Sequence, residues 1–317
     1  MALFLSEADV KQLLTMDIAL AAVEDAHRAH GRGRAIDIAR QRTRIPTAAL
    51  HILQGALLDE GVFGYKAYTT SRSSARFLVH LFDAATGALL AVMEADYLGM
   101  MRTGATGGIA AKWLARADAA EVGVFGCGWQ AQSQVEALCR VRSIRRIKVY
   151  SRSEERCRAF CATMSGRLGV EMLPVACAAD AVRGSAIIVT ITTATQPIFD
   201  GESIEAGTHI TAAGANSLIR REVDEKTVLR ASRVCVDSRA TALRECGDLL
   251  PVLEKGRLHE GQLTELGEVV NGIRAGRGSL EDITLFESQG MAIQDLAVAK
   301  ELLVLARERG IGVELPY

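Results

Sequence analysis

A glycine-rich stretch after residue 120 is the part of the sequence best suited to holding a ligand. It reads VGVFGCGWQAQ, in which Gly126, Gly128 and Ala131 match the pattern G-x-G-x-x-A. The apolar run before it predicts a strand, and the run after it predicts a helix. The first glycine would permit a tight turn, the second would let a pyrophosphate approach backbone N–H groups, and the helix start favours an anion. The segment therefore predicts a dinucleotide-binding loop, with a plain strand-to-helix turn as the alternative.

The residues at the end of the following strand favour one dinucleotide over the other. An NAD enzyme carries Asp or Glu about 20 residues past the glycine loop, where it binds the ribose 2′-hydroxyl. This sequence instead has Ser151 and Arg152 in VYSRSEER, with Arg156 one turn on. Because hydroxyl and guanidinium groups suit a 2′-phosphate, NADP(H) is favoured and NAD(H) is the alternative cofactor. In a purely structural interpretation, both arginines lie at the solvated start of a helix.

Basic residues in apolar segments of the first third of the chain are candidates for binding an anion. Lys66, in FGYKAYTT, lies between aromatic residues on a predicted strand, where its burial is costly without a partner. Arg102 precedes a run of small residues, and its guanidinium suits a carboxylate. Arg42 and Arg44 lie on RTRIPT, and one of the two is expected to be exposed to solvent. His51, in ALHILQG, is expected to be structural.

Together with the glycine loop, these cations predict a nucleotide-dependent oxidoreductase that acts on a small carboxylate. The alternative for Lys66 is a lysine whose ammonium group merely reaches the edge of the sheet. No His/Glu cluster has the spacing of metal ligands, so a metal site is not expected.

The elements that must position these residues change character near residue 118. From Arg42 to about Val92, short β-branched or alternating segments predict consecutive antiparallel strands. Beyond that point, apolar strands alternate with helical stretches, which predicts βαβ units and a parallel sheet. The expected fold class is α/β, with a Rossmann-type doubly wound parallel sheet in residues 118–295 and an α+β domain in residues 1–117. The C-terminal helix, in residues 296–317, is expected to complete the first domain.

Composition and charge exclude several classes of protein. The chain has 317 residues, of which 49% are hydrophobic and 24% charged, and its formal net charge is −1 at pH 7. These values are typical of a folded globular protein and argue against a nucleic-acid partner. No apolar run approaches the roughly 18 residues of a membrane-spanning helix, and the N-terminus lacks the basic region of a signal peptide. Seven scattered cysteines without CxxC spacing predict reduced thiols, so a cytoplasmic location is expected.

Several segments together resemble the ornithine cyclodeaminase/mu-crystallin family. In chain order they include RTRIPT, LHIL, GYKAYT, MRTGATGG, VGVFGCGWQAQ, HITAAGAN and FESQGMAIQD, and they span nearly the whole sequence. The resemblance implies a homodimer in which the first domain binds substrate and forms the dimer, while the Rossmann domain binds the cofactor. It also implies hydride transfer between the α-carbon of an amino acid and a nicotinamide. The expected ligand is therefore a small anionic amino or imino acid.

The resemblance also assigns roles to individual residues. It implies that Arg42, Lys66 and Arg102 surround the substrate carboxylate, with Lys66 and Arg102 also acting in catalysis. The residues implied to line the cofactor are Thr103, Gly126, Gly128, Trp129, Gln130, Ser151, Arg152, Thr190, Thr192 and Ser288. Two positions depart from the cyclodeaminases. Asn216, placed among the catalytic residues, replaces an aspartate that serves as acid and base. His51, placed among the substrate-binding residues, stands where a carboxylate binds the distal amine of ornithine.

Three functions are compatible with the sequence. The first is an NAD(P)H-dependent reductase of an α-imino acid, such as Δ1-pyrroline-2-carboxylate or a related ketimine, in which Asn216 orients a water or the substrate nitrogen. The departures at Asn216 and His51, and the missing acid at Ser151, favour it. The second is an ornithine cyclodeaminase or amino-acid dehydrogenase that runs the same step oxidatively. The third is a non-catalytic protein that binds NADPH and a small anion.

Overall fold

The chain forms two compact units. The computed structural model describes residues 1–71 and 74–316. Unit 1 consists of Met1–Thr103 with Met291–Tyr317, and unit 2 of Gly104–Gly290. Within the described residues, every helix is too short or too polar to cross a membrane.

The helices and strands follow one another in chain order. The first group comprises β1 (Ala2–Leu5), α1 (Glu7–Leu13), α2 (Met16–Gly31), β2 (Ala35–Ile45), β3 (Ala48–Leu57), β4 (Val62–Ser71), β5 (Ala75–Asp83), β6 (Leu89–Glu94) and α3 (Asp96–Leu114). The second comprises β7 (Glu121–Phe125), α4 (Trp129–Val141), β8 (Arg146–Tyr150), α5 (Glu154–Leu168), β9 (Glu171–Pro174), α6 (Ala178–Val182), β10 (Ile187–Thr190), β11 (His209–Ala212), α7 (Glu225–Arg230), β12 (Arg233–Val236), α8 (Arg239–Glu245), α9 (Leu250–Glu254), β13 (Leu263–Glu265), α10 (Leu266–Val270) and β14 (Thr284–Glu287). The chain ends with α11 (Ala292–Arg309) and β15 (Val313–Leu315).

The sheet of unit 1 has seven strands in the order β15-β1-β6-β5-β4-β3-β2. Strands β2 to β6 form an antiparallel meander, as the alternating segments predict. The short strands β1 and β15 were not predicted; β1 pairs parallel with β6 and antiparallel with β15. Helix α11 packs on β3, β4 and β5, and the side of the sheet that it covers is called the inner face below.

The opposite side of this sheet, the outer face, carries large apolar side chains that stay partly exposed. Ile36, Ile38, Phe63 and Leu78 are between 37% and 50% exposed. Phe63 stacks on Phe82 of the neighbouring strand, with ring centroids 5.5 Å apart. A contiguous apolar surface of this kind is typical of a protein interface.

Unit 2 is built on eight parallel strands in the order β13-β12-β14-β11-β10-β7-β8-β9. The chain proceeds from β7 outward to β9 and then continues with β10 on the other side of β7. Neighbouring residues of β7 point to opposite faces, and Val124 and Phe125 accordingly belong to two different apolar clusters. The predicted Rossmann-type doubly wound sheet is confirmed. Such sheets bind ligands at the carboxyl ends of their strands, where the strand order reverses.

The unit boundaries differ from the predicted ones at 117/118 and 295/296. Helix α3 passes into unit 2 at Gly104, because small residues from there onward let it pack closely against α4. A Cβ on Gly104 would lie 2.4 Å from the carbonyl carbon of Ser133. At the other boundary, α11 belongs wholly to unit 1, since Ile293 and Leu296 contact β3 and β4.

Replacing Gly104 with alanine is expected to destabilise the protein, although alanine favours helices. Overlap of the new Cβ with α4 outweighs the helix-propensity gain of roughly 1 kcal/mol and costs about 2 kcal/mol net. Gly166→Ala is the matched control, because nothing outside α5 lies within 4 Å of the position of its Cβ. The thermal unfolding midpoint should fall for Gly104→Ala and rise slightly for Gly166→Ala. Equal midpoints for the two variants would contradict the close packing of α3.

Candidate active site

Two buried cations of unit 1 share one buried carboxylate. Lys66 lies on the inner face of β4, Arg102 on α3, and Asp295 in the first turn of α11. Nζ of Lys66 donates to Oδ1 of Asp295 at 2.9 Å, and Nε of Arg102 donates to the same oxygen at 3.0 Å. Each of these charges would be costly to bury alone. The structure thus brings the two predicted cations together through a carboxylate to which the sequence analysis gave no role.

A second polar side chain of α11 fixes the guanidinium of Arg102. Nη1 of Arg102 donates to Oε1 of Gln294 at 3.0 Å, and the backbone N–H of Met291 donates to the same oxygen at 3.3 Å. The amide nitrogen of Gln294 lies 3.1 Å from Nε2 of His27. Since that nitrogen can only donate, His27 accepts. This fits the pKa of His27, which burial and, secondarily, His30 lower to about 3.

Asp295 carried a signal in the sequence. It lies in the first half of α11, where all residues from 292 to 299 are buried and most are apolar. Aspartate is almost never fully buried unless it is paired. An acid in such an apolar stretch therefore predicts a buried cation from another element, and the candidates were Lys66 and Arg102.

The surroundings of Lys66 lower its pKa to about 8. Burial is the main cause and Arg102 adds to it, while Asp295 acts in the opposite direction. The rings of Phe77 and Tyr68 lie 5.6 Å and 6.0 Å from Nζ. Lys66 is therefore cationic at neutral pH, yet it can exchange its proton within the pH range of ordinary enzyme catalysis.

A row of side chains crosses the inner face next to Lys66. Arg42 pairs with His51 between β2 and β3, and His51 pairs with Tyr68 between β3 and β4. The His51 ring stacks on Tyr68 with centroids 4.3 Å apart, and its Nε2 lies 3.1 Å from Oγ1 of Thr70. Burial, followed by Arg42 and its neighbouring arginines, lowers the pKa of His51 to about 4. His51 is therefore neutral at pH 7, and its ring and that of Tyr68 form a stacked aromatic pair on the inner face.

A β-bulge adds an arginine that the sequence analysis missed. The pairing of β2 with β3 shifts between Ile38 and Gln41, so that two residues of β2 oppose one of β3. Arg40 is thereby buried and lies close enough to Lys66 to act on its charge. Arg42 is half-buried and Arg44 is exposed, which agrees with the expectation for one of that pair.

The glycine-rich loop of unit 2 has the backbone geometry of an anion cradle. Gly126 has a φ of +107°, and a Cβ there would lie 2.6 Å from the carbonyl oxygen of Ile191. Gly128 precedes α4 without a side-chain cap, and no atom lies within 4 Å of the position of its Cβ. No side-chain cap therefore stands between a phosphate and the start of α4.

A cavity of about 520 Å³ adjoins this loop. Its lining includes Gly126, Gly128, Ser151, Arg152, Arg156, Thr192, Thr193, Thr195 and Gln196. Among the described residues that line it, none is acidic. A tight glycine turn, an open helix start and hydroxyl and guanidinium side chains together fit a phosphorylated dinucleotide.

Thr190 and Thr192, both predicted to line the cofactor, are bound to one buried carboxylate. Oγ1 of Thr190 donates to Oε2 of Glu222 at 2.9 Å, and Oγ1 of Thr192 donates to Oε1 at 2.6 Å. The N–H of Gly214 donates to Oε2 at 2.7 Å. Thr192 reaches the cavity, but Thr190 is fully buried and does not line it. Glu222 thus fastens the ends of β10 and β11 to each other.

Two further buried aspartates hold loops of unit 2. Oδ1 of Asp248 accepts the N–H groups of Glu222 and Val223 at 2.6 Å and 3.0 Å. Burial raises the pKa of Asp248 to about 7 despite these hydrogen bonds. Oδ2 of Asp237 accepts the N–H of Gly290 at 2.5 Å. Across the described parts of the chain, no three His, Cys, Asp or Glu side chains are arranged to hold a metal ion.

The remaining predicted site residues lie on separate elements. Thr103 is in α3, where its hydroxyl donates to a carbonyl one turn earlier at 2.7 Å. Trp129 and Gln130 begin α4 beside the glycine loop. Ser288 follows β14 and is nearly buried, with Oγ 3.5 Å from an aspartate oxygen. Asn216 is exposed in the loop after β11. Their roles toward a cofactor or substrate stay predictions.

Comparison with known proteins identifies one family along the chain. The profile described as ornithine cyclodeaminase/mu-crystallin family matches residues 1–308. A Δ1-pyrroline-2-carboxylate reductase of Bacillus cereus is 38% identical over 241 residues, 76% of this chain and 74% of the relative. The structure of Thermococcus litoralis Δ1-pyrroline-2-carboxylate reductase with NADH and L-proline has a TM-score of 0.94 and 34% identity, covering 99% of this chain and 100% of that one. An archaeal alanine dehydrogenase dimer with bound NAD has a TM-score of 0.94 and 33% identity, covering 100% and 99%.

The affinity for a small carboxylate is expected to fall as the pH rises through about 8. Lys66 loses its charge there, whereas Arg102 stays charged. Loss of one charged hydrogen-bond donor should weaken binding about tenfold. Calorimetric titration with pyruvate between pH 6.5 and 9.5 measures the effect, and Lys66→Arg is the control that should remove it. A constant affinity of the unaltered protein over that range would contradict the placement of Lys66 in an anion site.

Proposed function

The chain belongs to the ornithine cyclodeaminase/mu-crystallin family, and we propose that this oxidoreductase uses NAD(P)H to reduce an α-imino acid, Δ1-pyrroline-2-carboxylate or a related ketimine. The observation that carries the proposal is the pair of buried cations, Lys66 and Arg102, held on one carboxylate in unit 1. Two such cations suit a small carboxylate, which a guanidinium binds by parallel hydrogen bonds. The relatives named for pyrroline-2-carboxylate reduction support the same substrate class.

In this proposal the residues of unit 1 bind and orient the substrate. Arg42, Lys66 and Arg102 hold its carboxylate and thereby fix the position of the imine carbon. Orientation of this kind can lower a barrier by roughly 7–11 kcal/mol. A nicotinamide dinucleotide supplies a hydride when bound. With a pKa of about 8, Lys66 can give a proton to the imine nitrogen near neutral pH, and a protonated imine accepts hydride far better than a neutral one.

Two side chains weigh against ornithine cyclodeamination. His51 is neutral at pH 7 and stacks on Tyr68, so it offers no negative charge to the distal ammonium group of ornithine. Asn216 carries an amide, which neither gives nor takes a proton; in the reductase it would orient a water or the substrate nitrogen.

Ammonia release from ornithine would instead identify a cyclodeaminase. Tight cofactor binding without turnover of any substrate would identify a binding protein.

We propose NADP(H) as the preferred cofactor. Ser151, Arg152 and Arg156 line the cavity beside the glycine loop, and they supply hydroxyl and guanidinium groups at the place where a 2′-phosphate is bound in such folds. NAD(H), which the two solved relatives contain, is the alternative.

We also propose that two copies of the chain associate through the outer face of the unit 1 sheet. The partly exposed Ile36, Ile38, Phe63 and Leu78 support an apolar interface there, and one relative is described as a dimer. A monomeric mass by light scattering at micromolar concentration would contradict the association.

Turnover of a cyclic ketimine should depend on both cations of unit 1. NADPH oxidation is followed at 340 nm with Δ1-pyrroline-2-carboxylate, Δ1-piperideine-2-carboxylate, and pyruvate plus ammonia or methylamine. Lys66→Ala and Arg102→Ala should each lower kcat/KM by about a hundredfold or more, because each removes a group that holds the reacting molecule. Lys11→Ala, at an exposed lysine of α1, is the control and should keep full activity. Undiminished rates in the Lys66 and Arg102 variants would refute the proposal.

Arg152 should determine the cofactor preference. Arg152→Ala is expected to raise KM for NADPH about tenfold, the effect of losing one charge-assisted hydrogen bond to the 2′-phosphate. KM for NADH, which lacks that phosphate, should change by less than about twofold and serves as the internal control. A parallel rise for both cofactors would show that Arg152 does not distinguish them.

A further inference from the structure

The carboxylate of Asp295 uses only one of its two oxygens to hold the neighbouring cations. Both Lys66 and Arg102 donate to Oδ1. The other oxygen, Oδ2, is buried and accepts no hydrogen bond from any described residue. The side chain as a whole is completely inaccessible to solvent. The carboxylate therefore has a free acceptor in the same place as two positive charges.

A buried acceptor without a donor is costly, of the order of 1–3 kcal/mol and more for a charged group. One N–H of each cation donates to Oδ1, so the acceptor at Oδ2 is left for an N–H or O–H group of a ligand or a buried water. The charges around Oδ2 indicate which kind of molecule can supply this donor. A ligand that satisfies Lys66 and Arg102 must be negative, and one that satisfies Oδ2 must carry a donor, preferably a positive one.

We propose that Oδ2 of Asp295 accepts the N–H of the substrate's iminium group and, after reduction, the N–H of the product ammonium group. This inference rests on the proposed function and adds a catalytic residue to it. In an α-imino acid the carboxyl group and the nitrogen are bonded to the same carbon. A carboxylate bound at Lys66 and Arg102 therefore brings the nitrogen next to the anion that joins those two side chains.

The reaction balances with Asp295 in this role. A bound reduced nicotinamide would supply a hydride that forms a new C–H bond at the iminium carbon, while the π electrons of the C=N bond would become a lone pair on nitrogen. The nitrogen keeps its N–H toward Oδ2 throughout, and the neutral amine then takes one proton, delivered from solvent, to become the ammonium group. The negative charge of Asp295 favours the protonated imine over the neutral one, which raises the fraction of substrate that can accept hydride.

Ligand pairs that differ only in the nitrogen test the assignment. L-Proline is compared with tetrahydrofuran-2-carboxylate, and L-alanine with L-lactate, in each case by titration in the presence of NADPH, where no turnover occurs. The unaltered protein should bind the nitrogen-bearing member of at least one pair about tenfold more tightly or better, and Asp295→Asn should reduce that preference to about twofold or less. Equal affinities within both pairs in the unaltered protein would overturn the proposal without any variant. A preference that survives in Asp295→Asn would overturn it as well.

Asp37→Asn is the matched control variant. Asp37 also lies beside the start of α11, where its carboxylate accepts the N–H of Ala292 at 2.8 Å. Its replacement removes a negative charge from the same region and should leave the preference for the nitrogen-bearing ligand unchanged. Loss of the preference in this variant too would overturn the specific role of Asp295.

The outcome is separable from that of the proposed function. Preferential binding of amino acids with no imine turnover would contradict the reductase proposal and leave intact the contact between Asp295 and the ligand nitrogen. Imine turnover without tighter binding of the nitrogen-bearing ligands would support the reductase proposal and contradict the role of Asp295.

Discussion

Two positive charges in the interior of unit 1, on Lys66 and Arg102, are stable there because Asp295 lies between them. Removing one partner of such a buried set typically costs about 3–5 kcal/mol, whereas replacing the whole set by apolar residues is often neutral or stabilising. Stability alone therefore does not explain why the charges are present. The proposed carboxylate ligand gives a reason for keeping both cations. The C-terminal helix α11, which packs on the sheet of unit 1, supplies this anion.

Unit 2 uses buried carboxylates for a different purpose, which is to fix loops at the carboxyl ends of its parallel strands. Glu222 joins the segments after β10 and β11, Asp248 holds the backbone at Glu222, and Asp237 holds the segment after β14. In these segments the side-chain oxygens satisfy N–H groups that would otherwise need another acceptor. The start of α4 contrasts with them, because Gly128 provides no side-chain cap. The absence of a side-chain cap at this helix start is one physical basis of the dinucleotide proposal.

The sequence predicted what depends on local spacing and missed what depends on long-range pairing. Short sequence patterns predict the glycine loop and the parallel sheet. They also single out Lys66 and Arg102 as cations in apolar segments. Asp295 belonged to a recognised motif, but its role became visible only when α11 was placed on the sheet. Arg40 is buried by a β-bulge, and strict alternation along a strand does not reveal a bulge. Thr190 was expected at the cofactor, but its partner Glu222 lies 32 residues away and pairs with it only in the folded sheet.

The charge state of Lys66 illustrates why burial and ion pairing must act together in this site. Burial lowers the pKa of Lys66 and Asp295 raises it, and the result is a pKa of about 8. With burial alone, the amine would lose charge at lower pH and would no longer attract a carboxylate under neutral conditions. With the ion pair but no burial, the pKa of Lys66 would not fall below its ordinary value of about 10.4, and transfer of the proton would be strongly unfavourable at pH 7. In the proposed reductase, Asp295 would keep Lys66 cationic for binding, and the apolar surroundings would keep its proton available for transfer.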